Sequence, residues 1–101
     1  MTQGERDTAV EAARLVHRQH LRIRTVAVSF AAAVSSARQD LDLGPAERDA
    51  LIEVWRTWSL EQLARYATDL DDLHRDRPDL TDALASIRSE LGESMDAVRR
   101  A

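Results

Sequence analysis

Glycine and proline together fill only five of the 101 positions, and where they fall decides what the rest of the chain can become. Gly4 stands before the first long run, Gly44-Pro45 interrupts the middle, Pro78 divides the last two runs, and Gly92 lies inside the third. These are the strongest breakers of regular structure, so the two long uninterrupted runs, between Gly4 and Gly44 and between Pro45 and Pro78, point to long helices. No stretch of alternating β-branched residues suggests a strand. The reading is all-α.

Composition narrows the class of molecule. One domain's worth of chain, 44% hydrophobic and 32% charged, fits a folded protein and neither a disordered tail nor a membrane protein. With no Cys, disulfide scaffolds, cysteine nucleophiles and zinc ribbons are out. The longest nearly apolar window, Val26 to Val34 broken by Ser29, falls far short of the roughly 20 residues of a membrane span. Glu5, Arg6 and Asp7, with no apolar run after them, do not read as a signal peptide, and a cytoplasmic location is expected.

Three helices are expected in a single domain over residues 1–101, at about 5–38, 45–75 and 79–99. In the first, Ala9, Ala12, Val16, Ile23, Val26, Phe30, Ala33 and Ala37 repeat with heptad spacing, as in a coiled coil. Around Val26–Val34 the opposite side is apolar too, through Val28, Ala31 and Ala32, so more than one neighbour is expected there. Pro45 suits a first helical turn. In the second segment Leu51, Val54, Trp55 and Trp58 centre about 90° away from Leu63, Tyr66, Leu70 and Leu73 at 100° per residue. Ser59-Leu60-Glu61-Gln62 reads as a capping box, so the segment either changes its buried face or breaks near Ser59, and a continuous or kinked helix is favoured. Pro78 ends it, and Asp79 or Thr81 is placed to cap the third helix. That helix carries the ladder Leu80, Leu84, Ile87, Leu91, Met95 and Val98.

Short connections make successive helices antiparallel neighbours, giving a three-helix up-down bundle built on a long antiparallel hairpin. With the turn near Leu43, residue i faces roughly residue 86 − i, which puts Phe30 near Val54–Trp58. The hairpin would be about 50 Å long and the third helix about 30 Å, so the tip half is left short of cover. All 14 basic residues are Arg, and residues 1–38 sum to +3 while 59–82 sum to −4. In the hairpin register Arg14–Arg24 meet Asp69, Asp71 and Asp72, an internal use for the asymmetry.

Chemistry finds few anchors. His17 and His20 share one helix face and could approach a metal, but Arg on both sides disfavours a dication and a third ligand must come from elsewhere. A phosphorylatable His on a hairpin lacks the acidic or Asn neighbour that usually follows it. The Asp69–Asp76 cluster reads first as a solvated acidic face answering the Arg stripe. Arg14, Arg18 and Arg22 form one basic stripe, yet the net charge is −4 and residues 1–29 hold no aromatic, so nucleic acid is not expected. No glycine-rich phosphate loop or Gly-x-Ser-x-Gly is present. The plan resembles the small helical-hairpin proteins exported by type VII secretion. Asp42-Leu43-Gly44 replaces their Trp-x-Gly, and Leu70 takes the acidic place after Tyr66, so the chain is not assigned to them.

Trp55 and Trp58 remain, either as core packed on Phe30 or as an association face. The shortfall of cover favours the face. The expectation is a non-catalytic helical interaction or oligomerisation module without a cofactor, homodimeric through the hairpin tip, with Phe30, Ala33, Ala37, Leu51, Val54, Trp55 and Trp58 at or beside the interface. Its partner is a protein, a second copy or another helical chain, and neither nucleic acid nor membrane. The alternative is a small metal-binding or phosphotransfer protein using His17, His20 and the Asp69–Asp76 cluster.

Overall fold

The Thr2 hydroxyl accepts from the Glu5 N–H at 3.1 Å, so an N-cap starts the first helix. In the computed structural model, which describes residues 2–101, α1 then runs from Gln3 to Gln39. Pro45 opens α2, Pro45–Asp76, and a single 3₁₀ turn at Pro78–Leu80 leads into α3, Thr81–Arg100. The protein is an all-α, three-helix up-down bundle, and among the described residues there is no strand. No helix is long and apolar enough to cross a membrane.

The start of α3 is built differently from the expectation. Neither Asp79 nor Thr81 caps α3: Asp79 is held by Arg77, and the Thr81 hydroxyl donates to the Pro78 carbonyl at 2.5 Å. At the hairpin tip Arg48 closes the turn. Its Nε donates to the Ala37 carbonyl at 3.1 Å, an acceptor that the helix end leaves open, and its Nη2 to the Leu43 carbonyl of the turn at 3.3 Å.

The core is a line of side chains from all three helices. Ile23, Leu63, Leu70, Leu84 and Ile87 are almost wholly buried, and Leu80, Leu91 and Val98 complete the α3 ladder. On α1 Leu15 enters the core, while Ala9 stays outside. Val28, Ala31 and Ala32 are exposed, so the Val26–Val34 stretch is covered by α2 and α3 on two sides only.

The second helix is unbroken, as one expected alternative had it, and the correction lies in which face its first half buries. It is continuous through Ser59, which begins no new helix and is itself buried. A helix without a break presents one line of residues inward. The longer apolar half, with Leu63 and Leu70, sets that line, and continued backward it reaches Ser59 and Ile52. Ile52 is therefore inside and Leu51, Val54, Trp55 and Trp58 are turned outward.

Arg22 lies over the Tyr66 ring at 4.1 Å and 3.6 Å from Asp69, which fixes the hairpin register close to the expected one. The charge complement is only partly internal. Asp71 turns instead to Arg88 of α3 at 2.7 Å, Asp72 pairs with Arg75 of its own helix, and Arg14 and Arg18 make no ion pair among the described residues. The third helix also reaches further along the hairpin than half its length, since the Val98 carbonyl accepts from Arg56 at 3.2 Å. What α3 leaves uncovered is one whole side of the hairpin as well as its tip. The molecule is 62 × 20 × 15 Å with a radius of gyration of 17.3 Å, against about 13 Å for a compact chain of this length.

Candidate functional site

The outward face of α2 is apolar where a solvated helix would be polar. Leu51, Val54, Trp55 and Trp58 are 41%, 65%, 38% and 42% exposed. The two indoles, one helical turn apart, meet edge to face with centroids 5.6 Å apart and planes at 79°. They brace each other into a ridge instead of inserting into the core. Phe30, expected beside them, is 4% exposed and packs inward with Val34 and Ala37.

The ridge borders a trough. Ala33, Ser36, Ala37 and Asp40 of α1 line a shallow groove with Leu43, Leu51 and Trp55, about 230 Å³ in volume. Small side chains on α1 lie level with large ones on α2 because the hairpin register sets Trp55 against Ala33. On the far side of the ridge Ala50, Val54, Thr57 and Trp58 floor a second depression edged by Glu53 and Glu61. Of the seven expected residues, Leu51, Trp55, Ala33 and Ala37 come together, Trp58 and Val54 extend the ridge, and Phe30 lies beneath in the core.

The alternative constellation does not converge. His20 Nδ1 donates to Glu90 Oε1 at 2.5 Å, tying α1 to α3, while His17 points to solvent. Asp69, Asp71 and Asp72 are each drawn to an arginine. Among the described residues no three His, Asp or Glu side chains stand close enough to share a metal ion.

Two features escaped sequence reasoning. A groove of about 440 Å³ opens beside the end of α3, between Ala31, Val34 and Arg38 of α1 and Ala97 and Val98. It follows from where α3 stops, which periodicity alone does not fix. At the other end of the molecule Arg77 bonds both Glu11 and Asp79. Its hydrogen bonds hold both carboxyls below their ordinary range and push its own guanidinium upward. This cluster is a structural clasp far from the aromatic ridge. No family model, curated protein or solved structure matches the chain.

Proposed function

We propose that the protein is a non-catalytic helical interaction module that works as a homodimer, joined through the hairpin's aromatic ridge. The observation that carries this reading is the outward set Leu51, Val54, Trp55 and Trp58. Contiguous apolar patches of a few hundred Å², aromatic at the centre, are where soluble proteins associate.

Surface area supports it. The chain exposes 6704 Å², about 900 Å² more than the roughly 5,800 Å² of a compact monomer of this mass. A standard interface removes about 800 Å² per partner, so one association of ordinary size would bring this elongated chain to a normal exposure.

The test is solution mass. Multi-angle light scattering at micromolar concentration should give twice 11.4 kDa for the wild-type chain and a lower mean mass for Trp55→Ala. A monomeric wild-type chain would overturn the reading.

A further inference from the structure

We infer that the two copies meet about a two-fold axis parallel to the hairpin, so that each α1 lies over the partner's α2 and both tips point the same way. This rests on the dimer reading above and adds its symmetry and the full extent of the contact.

The side of the hairpin opposite α3 carries two kinds of complement, each matched in level along the helices. Near the tip, Ala33 and Ser36 form a low row on α1 beside Leu51 and Trp55 on α2, whose ridge Trp58 extends. Farther from the tip α1 presents the stripe Arg14, Arg18 and Arg22, spaced at i, i+4 and i+8, and α2 presents Asp69, Asp72 and Asp76. Arg22 already sits 3.6 Å from Asp69 of its own chain. Arg18 and Arg14 lie one and two turns beyond it, level with Asp72 and Asp76, and neither makes an ion pair among the described residues.

A face shared by two copies must be complementary to itself. Turning one copy about an axis across the helices sets ridge on ridge and carries the arginine stripe past the partner's tip, onto nothing. Turning it about an axis along the helices exchanges α1 for α2 at every level. The indoles then seat on Ala33 and its small neighbours, and the free arginines meet the partner's aspartates. Only the second arrangement uses both halves of the face. It also buries surface along the length of the molecule, where this elongated chain exposes more than a compact one.

Spin labelling tests the axis directly, because the chain has no cysteine of its own. Arg75 is exposed at the edge of this face, where it pairs with Asp72, and lies about 30 Å along α2 from Trp55 at 1.5 Å per residue. Labels on Arg75→Cys should lie about 20–30 Å apart in the dimer under the parallel axis, and about 60 Å apart under the crossed one. The short distance supports the inference. The long distance, in a particle that light scattering still finds dimeric, overturns it and leaves the dimer reading standing. A monomeric mass overturns both. As a second readout, Arg14→Glu with Arg18→Glu should raise the dimer dissociation constant at least tenfold, and the wild-type constant should rise with salt. Both arginines are exposed and make no ion pair among the described residues, so the fold tolerates the change. A dissociation constant indifferent to charge reversal and to salt would overturn the electrostatic half of the contact.

Discussion

Arg77 holds Glu11 with two nitrogens at once, Nη1 2.6 Å from Oε1 and Nη2 3.0 Å from Oε2, across 66 residues of sequence. The same guanidinium donates from Nε and Nη2 to Asp79 at 3.0 and 2.8 Å. The start of α1 is thereby fastened to the connection between α2 and α3.

This clasp predicts a dependence on acid. Both carboxyls titrate below their ordinary 4.5 and 3.8 in the folded chain because they accept from Arg77. As pH falls, the unfolded chain takes up these protons first, so the clasp stabilises fully above the ordinary values and its contribution is lost as pH falls through the depressed ones. Stability of the wild type should fall more steeply between about pH 5 and pH 2 than that of Arg77→Ala, and the two should converge at the acid end. Urea midpoints across that range measure it, and a constant offset at every pH would contradict it. The groups are partly solvated, so the difference at neutral pH should be modest.

Two substitutions should make the protein more stable. Ser59 is completely buried and its hydroxyl has no hydrogen-bond partner among the described residues, so Ser59→Ala removes an unsatisfied group at little cost in volume and should stabilise by about 1 kcal/mol. Gly92 sits exposed inside α3, and a methyl group there would meet nothing within 4 Å. Gly92→Ala should add about 0.5–1 kcal/mol by lowering the entropy lost on folding. The two gains should add in urea unfolding, since the sites share no contact. A destabilised Ser59→Ala would mean that the hydroxyl is hydrogen-bonded in solution.

Ser59 also marks the limit of what the sequence could tell. Helix number, hairpin register and the α3 ladder were legible because each rests on local signals: Gly44-Pro45, Pro78, and apolar residues recurring at i, i+4 and i+7. The buried face of α2 was not legible in its first half. Two apolar lines compete there, and the stronger local one, Leu51, Val54, Trp55 and Trp58, loses to the weaker one that continues Leu63 and Leu70 in a straight helix. Burial of Ser59 and half-burial of Arg56 in place of two tryptophans are a tertiary outcome that no local window contains. The same cause hid part of the candidate face. Trp55 and Trp58 stood out by size, whereas Phe30 was assigned to their neighbourhood by level along the hairpin, and its side chain turns inward to the core.

Arg56 follows that inward line for a reason of its own. Its Nε donates to the Val98 carbonyl, its Nη2 bonds the Ala101 carbonyl, and Glu53 holds its Nη1. Carbonyls in the last turn of a helix lack partners within the helix, and a cation there also opposes the helix dipole. Arg56→Met keeps the apolar stem and removes the donors. It should cost about 1 kcal/mol and fray the end of α3, with amides near Val98 exchanging faster while those near Leu84 do not. Uniform acceleration along α3 would point to lost packing instead.

The indoles of Trp55 and Trp58 give the last prediction its own signal, since they are the two tryptophans of the chain. Both are more than one-third exposed in the single chain, so their emission should be red-shifted at high dilution. On association the ridge leaves water, and the emission maximum should move to the blue as concentration rises through the dissociation constant. Trp58→Ala should leave helix content and most of the stability in place, because the ring contributes to the surface ridge and not to the core. It should nevertheless weaken the dimer by at least about 2 kcal/mol, roughly thirtyfold, as truncating an aromatic anchor at the centre of an interface does. Part of that loss comes from Trp55, which gives up its edge-to-face partner. Sedimentation equilibrium on the variant and the wild type reads the shift directly. Equal dissociation constants, or an emission maximum independent of concentration, would place the ridge outside the interface.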